Sequence, residues 1–131
     1  MLPRPQRYAS PRSLRIIVAD DEPDSVAMLK LVLNDEGHDV IGLHHGKDVM
    51  AQVHEFDPDA VVLDIAIPDR SGYEIAKEIR ARYGQIRPLL IAITGRYKQS
   101  SDKMLGQIVG FDHYLLKPYD PKELIALLRF C

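Results

Sequence analysis

Cysteine, tryptophan and long hydrophobic runs are scarce or absent in this sequence. The 131 residues include no tryptophan and one cysteine, Cys131, at the end of the chain. A single cysteine excludes a disulfide framework and a cysteine-based metal site within one chain, and it suits a reducing compartment. No hydrophobic run approaches the roughly 20 residues that span a membrane, and the first residues lack the apolar segment of a signal peptide. We therefore expect a cytoplasmic protein without membrane insertion.

A strong net charge is also absent. The 17 lysine and arginine residues and the 19 aspartate and glutamate residues give a formal net charge of -2. This balance gives no electrostatic reason to expect nucleic acid or an anionic membrane as the main partner. Hydrophobic residues make up 46% of the chain and charged residues 27%, which is typical of a soluble globular protein. The length suits one domain with a core of its own and is too short for two.

Residues 1–13 differ in composition from the rest of the chain. They contain three prolines, three arginines and few side chains that could join a core. We predict a flexible tail or linker over 1–13 and one folded domain over 14–131. The same start, together with the abrupt end after Phe130, favours a domain excised from a longer protein over a stand-alone one.

Five short apolar segments have the pattern of buried strands: 14–19, 38–43, 60–64, 89–93 and 112–116. The segments 14–19, 60–64 and 89–93 are nearly continuous aliphatic runs that end at turn-forming residues, as in strands covered on both faces. Helical spacing of apolar residues predicts helices over 46–55, 73–83 and 98–109, with a first helix capped by Asp24 or Ser25 and a last one that starts at Pro121. Regular alternation of strands and helices predicts an α/β fold, with a doubly wound parallel sheet.

Polar residues of complementary chemistry stand at four strand ends. Asp20 and Asp21 follow the first strand, Asp64 ends the third, Thr94 follows the fourth and Lys117 follows the fifth. In a parallel sheet these ends share one edge, where open α/β sheets bind ligands. Clustered carboxylates need a cation, and hard oxygen ligands suit Mg²⁺. With a lysine and a hydroxyl beside them, the set has the parts that phosphoryl transfer to a carboxylate requires.

Each of these residues also has an ordinary structural explanation. Asp20 and Asp21 could cap a helix, Asp64 could simply end its strand, Thr94 could be a β-branched strand end, and Lys117 could be a surface lysine before a turn. Taken singly, Thr94 and Lys117 are better explained structurally. Taken together, four strand ends with matching chemistry favour a phosphoryl-transfer site.

The sequence resembles the CheY-like receiver domain of two-component response regulators and hybrid sensor kinases. The matching segments, in the family's order and spacing over residues 14–130, are IIVADDEPD, VVLDIAIPDRSGYEIAKEIR, IAITG and GFDHYLLKPYDPKEL. The resemblance implies a five-stranded sheet of order 2-1-3-4-5 and a cis peptide bond between Lys117 and Pro118. It implies a phospho-acceptor that receives its phosphoryl group from a sensor histidine kinase or a phosphotransfer protein and then signals to a downstream output partner.

The resemblance also implies a role for each site residue. Asp64 would be the phospho-acceptor, and Thr94 and Lys117 would contact the phosphoryl group. The Mg²⁺ ligands would be Asp21, Asp64 and the backbone carbonyl of Ala66, with Asp20 acting largely through water. Tyr114 would be the aromatic switch that moves with Thr94, although a half-buried packing role is the alternative. The face formed by residues 98–129 would be the output surface and a site of homodimerisation.

Two further positions, Ala66 and Arg96, correspond to those that tune phosphoryl lifetime in the family. Ala66 has no side-chain group to hold an attacking water, so Asp64 is expected to lack a strong intrinsic aid to hydrolysis. The five histidines are scattered, and we expect them at surface or partly buried positions.

Three other functions are weaker hypotheses. A haloacid-dehalogenase-like phosphatase would need an acid two residues after its nucleophile, and Ala66 occupies that position. A phosphorylation-independent interaction module would not need the intact set of site residues. A nucleotide-binding domain would need a glycine-rich loop after the first strand, and none follows. We therefore expect a signalling domain and not a dedicated enzyme.

Overall fold

A computed structural model describes residues 13–95 and 109–131. Its centre is a five-stranded parallel sheet of order β2-β1-β3-β4-β5. The strands are β1 (Arg15–Ala19), β2 (Asp39–Leu43), β3 (Ala60–Asp64), β4 (Leu89–Thr94) and β5 (His113–Leu116). The predicted fold and the strand order are confirmed, and the predicted strand boundaries differ by one residue at most.

Four helices described in the structure connect or follow these strands. They are α1 (Pro23–Asp35), α2 (Val49–Phe56), α3 (Gly72–Tyr83) and α4 (Pro121–Leu127). The short 3₁₀ segments Gly46–Asp48 and Leu128–Phe130 precede α2 and follow α4. The helix predicted over 98–109 and the position Arg96 lie outside the described residues, apart from Val109. The same holds for residues 1–12 of the tail that was predicted over 1–13.

Alternate side chains of each strand enter two separate cores, one on each face of the sheet. Ile16 and Val18 of β1 join the core beneath α1 and α4, where Leu29 and Leu124 pack against them. Ile17 joins the opposite core, which also contains residues of α2 and α3. Successive strand side chains point to opposite faces, so a sheet covered on both sides requires nearly continuous apolar strands. The predicted two-sided burial is confirmed.

The start of α1 differs from the prediction. The helix begins at Pro23, with Glu22 as the N-cap residue and no side-chain cap. Neither Asp24 nor Ser25 caps it; instead the Ser25 hydroxyl donates to the Glu22 carboxylate at 2.6 Å. Proline tolerates the first helical turn because it has no N–H to leave unpaired, and this shifts the helix start towards the N-terminus.

Two other local predictions can be compared with the structure. The peptide bond between Lys117 and Pro118 is cis, as predicted. The last helix starts at Pro121 as predicted, and its N-cap residue Asp120 forms a capping box with Glu123. Within the described residues, no helix has both the length and the apolar composition to cross a bilayer.

Candidate functional site at the strand ends

Three aspartates meet at the carboxyl edge of the sheet. Asp20 follows β1 and Asp64 ends β3, and the parallel register that pairs Ala19 with Leu63 places these two residues side by side. Asp20, Asp21 and Asp64 each offer a carboxylate oxygen, and these oxygens lie within 4.8 Å of one another. Asp20 and Asp64 are 1% and 5% exposed, whereas Asp21 is open to solvent. The site therefore has two buried acids and one accessible one.

Lys117 joins the two buried aspartates. Its ammonium Nζ lies 3.1 Å from Asp20 Oδ2 and 3.2 Å from Asp64 Oδ2. The backbone explains this placement, because Lys117 directly follows β5 and its N–H donates to the carbonyl of Thr94 at 2.8 Å. The lysine side chain is 31% exposed, so it reaches the buried acids from the solvent side.

The remaining oxygens of the buried aspartates are held by the backbone. The N–H of Glu22 donates to Asp20 Oδ1 at 3.0 Å, and the N–H of Ala66 donates to Asp64 Oδ1 at 2.9 Å. In both cases the donor lies two residues after the aspartate, which is a common local turn of Asp side chains. The backbone just after each aspartate therefore orients its carboxylate, and Lys117 bridges the two carboxylates.

Burial and the neighbouring charges together shift the pKa values of Asp64 and Lys117. Burial raises the pKa of Asp64 and the nearby charge of Asp20 adds to the rise, while the Ala66 N–H and Lys117 partly offset it. Burial by itself lowers the pKa of Lys117, but the hydrogen bond to Asp20 and the charge of Asp64 outweigh it, so the net pKa is raised. The lysine is thus held in its charged form beside the acids.

The oxygen-rich donor set fits a hard divalent cation. One ammonium group stands against three aspartate side chains, and the accessible Asp21 leaves room for water ligands, which Mg²⁺ commonly retains. Ala66, whose backbone carbonyl was also predicted as a ligand, lies at the exposed start of the loop that follows Asp64. The residues present therefore suit Mg²⁺.

Thr94 and Tyr114 lie on the two neighbouring strands. Thr94 is the last residue of β4 and is 8% exposed, and β4 pairs with β3 so that Asp64 is opposite Ile93. Tyr114 is half-buried on β5, with its ring centroid 5.7 Å from that of Phe111. The packing alternative for Tyr114 agrees with this contact, and its role as a switch stays a prediction.

One histidine departs from the expectation of surface or partly buried positions. His38 is buried, and its Nδ1 accepts a hydrogen bond from the backbone N–H of Leu14 at 3.1 Å. Burial lowers its pKa, against the opposing charges of Glu36 and Asp59. The chain positions of Leu14 and His38 gave no indication of this bond, because it depends on how β1 and β2 pair.

The structure adds Asp69, which sequence reasoning missed. It lies in the loop between β3 and α3, and its carboxylate accepts hydrogen bonds from the backbone of Gly46 and Lys47. The partners are more than 20 residues away along the chain, so no local pattern indicated the contact. The only feature of the sequence that could have drawn attention to Asp69 is its position as an acidic residue directly after Pro68 in a turn.

Comparison with known proteins agrees with the geometry. The model of a family described as the response regulator receiver domain matches residues 16–129. A receiver domain of the Francisella response regulator 1452 has a TM-score of 0.82 at 24% identity, over 90% of this chain and 95% of that one. The chemotaxis response regulator CheY4 of Vibrio cholerae has a TM-score of 0.82 at 23% identity, over 91% of this chain and 98% of that one. The response regulator DrrB, an OmpR/PhoB homolog of Thermotoga maritima, has a TM-score of 0.80 at 28% identity. The match covers 91% of this chain and 52% of that longer one.

Proposed function

Because the chain belongs to the response regulator receiver domain family, we propose that Asp64 accepts a phosphoryl group from the phosphohistidine of a sensor kinase or phosphotransfer protein. Receiver domains are regulatory phospho-acceptors of two-component signalling and not dedicated enzymes. The observation that carries the residue assignment is the pair of contacts from Lys117 to Asp20 and Asp64, beside the exposed Asp21.

The transfer exchanges one bond to phosphorus for another. A carboxylate oxygen of Asp64 forms a bond to phosphorus as the bond from phosphorus to the donor nitrogen breaks, and the imidazole leaves with that electron pair. Asp64 Oδ1 accepts the Ala66 backbone N–H, whereas Oδ2 accepts from the partly exposed side chain of Lys117. Oδ2 is therefore the better candidate for the nucleophile.

Lys117 and Thr94 would act on the transferred group. Once Oδ2 carries phosphorus, the Lys117 ammonium can follow the negative charge onto a phosphoryl oxygen, because its stem is partly exposed. The Thr94 hydroxyl, at the end of the adjacent strand, would donate to another. Fixed donors at the place where charge accumulates stabilise such a transfer.

The acidic residues would hold Mg²⁺ next to Asp64. Asp21, Asp64 and the carbonyl of Ala66 would ligate it directly and Asp20 largely through water. When bound, Mg²⁺ supplies positive charge that offsets the charge of the phosphoryl oxygens. The buried Asp20 also keeps Lys117 at the site before phosphorylation, through their 3.1 Å hydrogen bond.

The proposal extends to signalling partners and to the surface that changes. Phosphorylation of Asp64 would move Thr94 and then Tyr114, and alter the face that includes β5 and α4. Kinases or phosphotransfer proteins and an output protein or domain are the partners implied by the family. Homodimerisation through residues 98–129 and a cytoplasmic location remain predictions, and residues 98–108 lie outside the described part of the chain.

The decisive experiment is intact-mass measurement after incubation with acetyl phosphate, with and without Mg²⁺. We expect one phosphoryl adduct that requires both Mg²⁺ and Asp64, and none on Asp64→Asn. Asp57→Asn is the matched control, because Asp57 is exposed, precedes β3 at the opposite end of the sheet, and has a left-handed backbone (φ 49°) that asparagine tolerates.

The outcomes separate the hypotheses. An adduct retained on Asp64→Asn would overturn the assignment of the phospho-acceptor. Absence of both an adduct and Mg²⁺ binding in the unaltered protein would favour the phosphorylation-independent interaction module instead.

A further inference from the structure

Asp69 lies in the loop that follows Asp64. Its carboxylate binds the backbone at the start of the helical segment that begins at Gly46. Asp69 Oδ1 accepts from the N–H of Gly46 at 2.9 Å, and Oδ2 accepts from the N–H of Lys47 at 3.0 Å. Gly46 opens the 3₁₀ turn before α2, and the residue preceding that turn makes no side-chain cap. Because the first N–H groups of a helix have no partners within it, Asp69 supplies the missing cap from another loop.

The same loop is closed tightly at its base. The N–H of Ile65 donates to the carbonyl of Ile93, and the N–H of Gly72 donates to the carbonyl of Ile65, both at 3.0 Å. A Cβ on Gly72 would lie 2.7 Å from the Cα of Ile65, so the two backbone segments are in direct contact. Ala66 therefore lies in a short closed loop, which Asp69 joins to the backbone of Gly46 and Lys47.

Contact between this loop and the helix start is also direct. A Cβ on Gly46 would lie 3.0 Å from Arg70 Cβ and 3.2 Å from the Arg70 carbonyl oxygen. The two N–H groups that Asp69 accepts from lower its pKa, so the carboxylate is charged at neutral pH. A negative charge is favourable beside the first N–H groups of a helix. The contact thus combines close packing with two charge-assisted hydrogen bonds.

We propose that Asp69 is a positioning residue for the cation site: by anchoring the loop to Gly46 and Lys47, it sets the direction of the Ala66 carbonyl. This inference rests on the proposed function, in which that carbonyl is a Mg²⁺ ligand. Asp69 itself would contact neither the metal nor the phosphoryl group. Without its anchor, the loop would remain closed at Ile65 and Gly72 but would sample more orientations at Ala66.

The test is a Mg²⁺ titration of the protein, followed by the NMR shifts of backbone amides near Asp64. For Asp69→Ala we expect the Mg²⁺ dissociation constant to rise about tenfold, at the low end of the effect of groups that orient a metal ligand. Asp69→Asn should raise the Mg²⁺ dissociation constant less, because its side-chain amide keeps one acceptor oxygen. Asp48→Asn is the control, since this exposed acid lies in the same turn as Gly46 and Lys47.

A second readout does not depend on metal binding. Hydrogen exchange at the amides of Gly46 and Lys47 should accelerate in Asp69→Ala and stay unchanged in Asp48→Asn. If circular dichroism shows that Asp69→Ala does not fold, Asp69→Asn is compared with the unaltered protein instead. Equal Mg²⁺ dissociation constants for these two proteins would then overturn the role of Asp69.

Failure of this inference can be told apart from failure of the proposed function. If the unaltered protein does not bind Mg²⁺, the cation site itself is wrong. If it binds Mg²⁺ and Asp69→Ala binds equally well, or if Asp48→Asn loses as much, only the role of Asp69 is overturned.

Discussion

Arg80 and Asp112 form an ion pair at the end of the sheet opposite the acidic cluster. Arg80 Nη2 donates to Asp112 Oδ2 at 2.8 Å, and the same oxygen accepts the N–H of Leu90 at 2.8 Å. Arg80 also donates to the carbonyls of Gly110 and Pro88, each at 2.9 Å. With a side chain only 4% exposed, Arg80 links α3 to the segments that lead into β4 and β5.

Replacing Arg80 should therefore destabilise the fold. For Arg80→Leu we expect a loss of about 2–4 kcal/mol in the free energy of unfolding, because the carbonyls of Pro88 and Gly110 and the Asp112 carboxylate each lose a hydrogen bond from a buried charged donor. Arg82→Leu on the same helix is the control, since Arg82 is 65% exposed and its ion pair with Glu78 should contribute below about 1 kcal/mol. Urea denaturation measures both values, and equal losses would contradict the prediction. The Mg²⁺ affinity of folded Arg80→Leu should not change.

Lys117→Met should separate cation binding from phosphorylation. The ammonium competes with a cation for Asp20 and Asp64, so its removal should leave the Mg²⁺ dissociation constant equal or lower. The phosphorylation rate with acetyl phosphate should fall at least tenfold, corresponding to about 1.4 kcal/mol of lost stabilisation of the transferring group. A Mg²⁺ titration gives the dissociation constant, and intact-mass measurement over time gives the phosphorylation rate.

The control for that prediction is Lys77→Met, which removes an exposed lysine from α3. It should leave both quantities unchanged. A Lys117→Met protein that is phosphorylated at the rate of the unaltered one would remove Lys117 from the proposed mechanism.

His38 should make stability depend on pH. Burial lowers its pKa below the ordinary 6.5, so the unfolded chain binds a proton more readily than the folded one. The contribution of neutral His38 is fully present above about pH 6.5 and is lost as the pH falls from there towards the folded pKa. Protonation of Nδ1 would also remove the acceptor for the Leu14 N–H.

The measurement is the urea midpoint at about pH 7.5 and about pH 5.5, on the two sides of the ordinary histidine pKa. The difference between the two midpoints should shrink in His38→Asn, whose side chain does not titrate. His44→Asn, at an exposed position, should retain the full difference. An unchanged difference in His38→Asn would show that other groups cause it.

Ala66→Asn should shorten the life of phosphorylated Asp64. Ala66 is exposed beside Asp64, and an amide there could hold an attacking water. One hydrogen bond of about 1 kcal/mol in the transition state corresponds to roughly a fivefold faster decay. Ala66→Leu adds similar bulk without a polar group and should not accelerate decay. Decay of the adduct, followed by mass, tests this, and equal rates for the two variants would exclude the water-holding explanation.

Much of the fold was predictable from the sequence because its determinants are local. The segments 16–19 and 60–63 are apolar throughout, which is typical of strands buried on both faces, and the alternation with helices predicts parallel strands. Parallel strands end at one edge, so the grouping of Asp20, Asp64 and Lys117 followed from their positions after strands. The strand order came from the family resemblance, since no local pattern specifies which strands are neighbours.

Tertiary structure alone decided the contacts between distant residues. Arg80 and Asp112 are 32 positions apart and Asp69 and Gly46 are 23 apart, and no pattern in the sequence predicted either contact. Even the local cap of α1 was predicted wrongly, because Pro23 allows a start earlier than Asp24. A hydrogen bond forms only when two atoms approach within about 3 Å, and that separation depends on strand register and loop path, which residue types and periodicity do not specify.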